Sequence, residues 1–77
     1  MINKRVLINS DSWTLLTDKA SLLQFNGDAY MYISDVANVP AGSVGFTMTK
    51  GEKYISSTEG IYVYSKSAPS ADVYSVT

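Results

Sequence analysis

Six tyrosines and a single tryptophan are the residues of this chain best equipped for chemistry at a surface. Four of the tyrosines form two couplets, Tyr30-Met31-Tyr32 and Tyr62-Val63-Tyr64, each a few residues after a glycine turn signal, Asn26-Gly27 and Glu59-Gly60. A tyrosine side chain is a large rigid apolar body with a polar tip. Several on one face can hold a protein partner or stack against a sugar ring. Trp13 is a fifth aromatic group, read first as an anchor in the core or at a sheet end and second as a ligand platform. The candidate binding residues are therefore Tyr30, Tyr32, Tyr62, Tyr64 and Trp13.

Catalytic chemistry has little to work with. The chain has no histidine and no cysteine. Ser-His-Asp and Cys-His sites and disulfides are thereby excluded, and the commonest soft metal ligands are missing. Asp11, Asp18, Asp28, Asp35 and Glu59 fall on predicted turns, where short acids serve local hydrogen bonds. Ser65 and Lys66 cannot act as a dyad, because successive strand residues point to opposite faces. Phosphate-loop, calcium-loop and zinc spacings are absent. The expectation is a non-enzymatic protein with no cofactor and no metal.

Charge narrows the partners. Six basic and seven acidic residues, net −1, are scattered singly, so no basic stripe exists to track a phosphate backbone, and nucleic acid is not expected. No run approaches the ~20 apolar residues of a membrane span. The basic-then-apolar start, residues 1–9, has too short an apolar run for a signal peptide. The absence of cysteine is compatible with assembly in a reducing cytoplasm.

The elements that must position the aromatics read as β throughout. Turn signals recur at intervals of roughly eight to twelve residues, the rhythm of an all-β sandwich or barrel. Strands are predicted at 5–9, 12–16, 20–25, 29–34, 43–48, 52–56, 61–66 and 71–76, with almost no helix: a single compact antiparallel β-sandwich or barrel of seven to eight short strands spanning residues 1–77. Asn26-Gly27 should make a tight hairpin between the third and fourth strands. The segment 35–42, with Pro40 and Gly42, should cross between sheets, Val36 and Val39 plugging one end of the core. Parity places Val44, Phe46 and Met48 in the core. It also points Ala29, Met31, Ile33, Ile61 and Val63 inward and Tyr30, Tyr32, Tyr62, Tyr64 and Lys66 outward.

Size adds a demand for partners. A chain of 77 residues buries only about 60–65% of its unfolded surface, and small domains usually add disulfides, a metal or oligomerisation. Of these, oligomerisation remains. The order of motifs also carries a resemblance. Ser12-Trp13-Thr14-Leu15-Leu16, Leu22-Leu23-Gln24-Phe25-Asn26, Ala29-Tyr30-Met31-Tyr32-Ile33 and Pro40-Ala41-Gly42 lead into Lys50-Gly51-Glu52, Gly60-Ile61-Tyr62-Val63-Tyr64-Ser65-Lys66-Ser67 and Ala71-Asp72-Val73-Tyr74-Ser75-Val76. This pattern, covering nearly all of the chain, resembles small tailed-bacteriophage virion proteins of β-sandwich type. The resemblance implies a capsid decoration protein, head-fibre base or tail accessory, assembled in the host cytoplasm and resident on the virion. It would act as a homo-oligomer, a trimer for example, bound to a major capsid or tail protein. A carbohydrate-binding module that stacks sugars on the surface tyrosines is the alternative, and a small inhibitor of a host enzyme a third reading.

Overall fold

The computed structural model describes residues 3–56, 59–67 and 71–77. Eight strands build it: β1 (Asn3–Ile8), β2 (Thr14–Thr17), β3 (Ser21–Asn26), β4 (Ala29–Ser34), β5 (Phe46–Met48), β6 (Lys53–Ser56), β7 (Tyr62–Ser67) and β8 (Ala71–Val76). No helix occurs among the described residues. Two four-stranded antiparallel sheets form, ordered β1-β8-β3-β6 and β2-β7-β4-β5. The chain is an all-β sandwich, and this strand order is that of the eight-stranded jelly roll. Its least dimension of 16 Å fits two sheets stacked ~10 Å apart.

Alternation sorts each strand onto the two faces. In β3, Ser21, Leu23 and Phe25 are buried while Leu22 and Gln24 are exposed. In β8, Ala71, Val73 and Ser75 are buried between less buried neighbours. Leu23, Phe25, Val63 and Val73 are fully enclosed and form the centre of the core, with Ile8, Leu16, Ala29, Met31, Met48 and Ala71 around them. Burying each large apolar side chain contributes about 1.5–3 kcal/mol. β2 departs from strict alternation. A register shift between Leu15 and Thr17 turns both Leu16 and Thr17 inward and leaves Leu15 exposed.

Several sequence expectations need correction. Asn26-Gly27 does not make a hairpin, because β3 pairs with β6 and β8 whereas β4 pairs with β5 and β7. Gly27, at φ 140°, instead carries the chain from one sheet to the other. The segment 35–45 is not a crossover, since β4 and β5 are antiparallel neighbours in one sheet. Pro40 and Gly42 form a turn inside that long connection, with Ser43 N and Oγ both donating to the Pro40 carbonyl. Val36 is 54% exposed and does not plug the core. The strand expected at 43–48 begins only at Phe46, and of its supposed core residues only Met48 is buried. Val44 is 87% and Phe46 63% exposed, because β5 ends its sheet and no layer covers it. The turn residues expected at 57–58 and 68–70 lie outside the described residues.

Candidate functional site: the aromatic face of one sheet

The two couplets lie on adjacent strands. β4 carries Tyr30 and Tyr32, β7 carries Tyr62 and Tyr64, and the register sets Tyr32 directly opposite Tyr64. Inward residues fix the direction of the rest. Met31 and Val63 are buried in the core, so the tyrosines, one residue away in each strand, stand on the outer face. Cross-strand rows then read Leu15–Tyr64–Tyr32, Lys66–Tyr30–Thr47 and Tyr62–Ser34.

Trp13 reaches this face from the connection between β1 and β2. Asn9 shapes that connection, its Oδ1 accepting from the amides of Asp11 and Ser12 at 3.0 and 3.1 Å, a local side-chain turn that frees the chain to change sheets. The indole lies 5.8 Å from the Tyr32 ring, tilted by 55°, within the spacing favoured by aromatic pairs. Lys66 Nζ sits 5.2 Å from the indole centroid, close enough for a cation–π attraction of roughly 0.5–1 kcal/mol at an exposed position. The far edge of the indole reaches Gly45: a β-carbon there would come within 2.9 Å of Trp13 Cη2 and still closer to the Met31 carbonyl oxygen. Trp13 therefore crosses much of the sheet from its place beside β2, and Gly45 is the residue that lets it.

The five sequence candidates separate into roles. Trp13, Tyr30 and Tyr32 come together with Lys66, and Tyr30 is 40% exposed. Tyr64 shares the face but is only 9% exposed, so it supports the face rather than offering surface. Tyr62 stands one row away, half-buried, opposite Ser34. Trp13 is a half-buried outer-face residue just ahead of β2, outside the core cluster. Ser65 and Lys66 do point apart: Ser65 is enclosed and donates to the Tyr30 carbonyl at 2.8 Å, while Lys66 is on the indole.

Sequence reasoning missed Gly45 and left Lys66 without a role. A glycine beside a strand, where a backbone or ring can approach closely, was the available signal for the first. A shallow cleft of ≈ 190 Å³ lies between Trp13, Tyr30, Ser43, Val44 and Lys66. Small-molecule sites typically span about 300–1,000 Å³, so the face suits contact with a broad surface better than enclosure of a ligand. No family model, no curated protein and no solved structure matches the chain.

Proposed function

We propose that this chain is a non-enzymatic structural protein of a tailed-phage virion, a capsid decoration, head-fibre or tail-associated protein. It works by self-association and by docking on the major capsid or tail protein. The observation that carries this reading is the meeting of Trp13, Tyr30, Tyr32 and Lys66 on the outer face of one sheet. Trp and Tyr make effective protein-docking anchors because they bury much area with few rotatable bonds, and here the Lys66 ammonium is held against the indole. The motif order described above supplies the phage context. The jelly-roll strand order is compatible with it, although that fold also hosts lectins and does not by itself select a function.

The test is direct. Mass spectrometry of purified virions should find the protein, and the isolated chain should bind particles that lack it. A Tyr30→Ser/Tyr62→Ser double variant should lose at least about tenfold in particle binding while keeping its unfolding midpoint nearly unchanged, because neither side chain belongs to the core cluster. Absence from virions together with no particle binding refutes the proposal.

The carbohydrate reading draws on one feature, the cleft in which Trp13 and Tyr30 meet the polar groups of Ser43 and Lys66. Its small volume places it second. As the only tryptophan, Trp13 reports on it: titration with a broad glycan panel should shift the emission if a sugar stacks there, and a silent panel removes this reading.

A further inference from the structure

Four strands end the two sheets: β1 and β6 in one, β2 and β5 in the other. An edge strand presents unpaired backbone donors and acceptors, and proteins commonly blunt it with charge or a bulge. β1 carries Lys4 and Arg5, β6 carries Lys53, and β2 has its register shift. β5 reads Phe46-Thr47-Met48 and is entered through Ser43-Val44-Gly45, with no charge and no proline over those six residues. Shortness is its only protection.

This same edge holds the most exposed apolar groups of its sheet. Val44 is 87% exposed; Phe46, opposite buried Met31 and so on the inner side, is 63% exposed. Beside them β4 continues past the end of β5. Its residues Tyr32, Ile33 and Ser34 pair with β7 on one side and, among the described residues, with no strand on the other. The resulting notch, ≈ 290 Å³, is lined by Met31, Ile33, Val44 and Phe46. Met31 itself stays buried, and Val44 and Phe46 are the groups left without cover.

We propose that a second copy of this chain closes this notch, the two β5 edges pairing antiparallel about a two-fold axis at Gly45. In that register each Phe46 lies opposite the other copy's Val44, Gly45 meets Gly45, and Thr47 meets Ser43. The segment is self-complementary. Residues 43–45, which lie outside β5 in the single chain, would extend the strand on pairing; apolar groups then meet apolar groups, no charges are brought opposite one another, and the two-fold axis uses the Val44–Phe46 pairing twice. The area sets the strength. Five paired residues with two large side chains bury on the order of 300–400 Å² per copy, about half of the ~800 Å² per partner in stable complexes. The dimer is therefore weak and reversible in dilute solution and becomes strong only in an array, where attachment to a common particle raises the effective concentration.

The inference rests on the self-association half of the proposed function and is independent of docking to the particle. Sedimentation velocity up to roughly millimolar concentration should show the wild-type chain associating, and Val44→Lys should raise the dissociation constant at least about tenfold. Val44 is exposed, so the variant should keep the far-UV spectrum and tryptophan emission of the wild type. Register is tested by mixing Val44→Cys with Phe46→Cys under oxidation, which is unambiguous because the chain has no cysteine of its own. Directly opposed residues lie about 4.5–5.5 Å apart at Cα, within disulfide reach, so the mixed disulfide should exceed both homodisulfides. Association that survives Val44→Lys, a mixture with no such excess, or a wild type that stays monomeric overturns the edge pairing. If association survives Val44→Lys but is lost in Tyr30→Ser/Tyr62→Ser, the copies meet through the aromatic face instead. A monomer that still binds particles leaves the docking proposal standing.

Discussion

Gly45→Ala is the sharpest perturbation that the structure offers, because one added methyl meets two different obstacles. The new β-carbon would overlap the Met31 carbonyl oxygen and approach Trp13 Cη2 to 2.9 Å. The indole can tilt, at the expense of its contacts with Tyr32 and Lys66. The carbonyl cannot move so freely, since Met31 is paired on both sides, with Phe46 and with Ser65. The strand that yields is therefore β5, three residues long and at the sheet edge. Overpacking of this kind costs about 1–3 kcal/mol. A domain of this size has roughly 4–12 kcal/mol in total, at about 0.05–0.15 kcal/mol per residue.

With a urea slope of about 1–3 kcal/mol/M, such a loss lowers the unfolding midpoint by on the order of 1 M. Tryptophan emission is the natural probe, since Trp13 is the only source and lies at the contact. Native-state hydrogen exchange should quicken at residues 46–48 at least as much as at Leu23 and Val73, whose exchange follows the global stability of the core. Combining Gly45→Ala with Trp13→Ala should recover only part of the loss, because the closer obstacle is backbone. A Gly45→Ala unfolding free energy within about 0.5 kcal/mol of wild type, or full recovery on removing Trp13, would refute this account of how the indole is seated.

Other perturbations probe the core and one turn. Ser75 is 1% exposed and its hydroxyl has no hydrogen-bond partner among the described residues; Ser75→Ala should be neutral or stabilising by up to about 1 kcal/mol in a denaturant titration, since it removes an unsatisfied buried group. Leu23→Ala, at a fully buried position, should cost about 2–5 kcal/mol, whereas Leu22→Ala, on the outer face of the same strand, should cost less than about 1 kcal/mol; equal losses would contradict the face assignment of β3. Glu52 accepts hydrogen bonds from the Thr49 hydroxyl and amide, and these hold its carboxyl below the ordinary glutamate range. A lowered folded pKa gives stability that is present at neutral pH and lost as pH falls through that folded value, so the thermal midpoints of wild type and Glu52→Gln should differ at pH 7 and converge in acid.

Face assignment was legible wherever a strand has the other sheet opposite it. The bounds of β4 and β8 were read correctly, and parity sets the tyrosines of β4 and β7 on the side away from Met31 and Val63, where Tyr30 is exposed but Tyr64 is buried. Period two reports which side a residue occupies, but it cannot report whether anything lies on that side. Val44 and Phe46 show the difference: Phe46 has the inward side and little cover, since β5 ends its sheet. Turn chemistry has a similar horizon. Asn26-Gly27 and Pro40-Ala41-Gly42 do fall between strands, but the partner of each strand is chosen by contacts far along the chain. The sheet-crossing turn and the same-sheet connection were therefore interchanged. Trp13 was harder still, because its seat depends on Gly45 and Lys66, three residues brought together from well-separated parts of the sequence.

The aromatic face and the open edge are not separate features of the surface, because they share the approach to β5. Val44 and Gly45 line both the cleft beneath Trp13 and Tyr30 and the notch beside Ile33 and Phe46. Gly45 admits the indole on the outer side, while Phe46, its neighbour, faces the inner side without cover. A second copy added along β5 would extend the β2-β7-β4-β5 sheet into eight strands and bring two aromatic faces side by side. Two weak contacts at right angles, one along the sheet and one through its face, suit a protein that must remain dispersed until a particle gathers many copies. Either contact alone is small, and each raises the local concentration for the other. For the virion protein proposed above, assembly would add its own stabilisation by mass action to a monomer that is already folded.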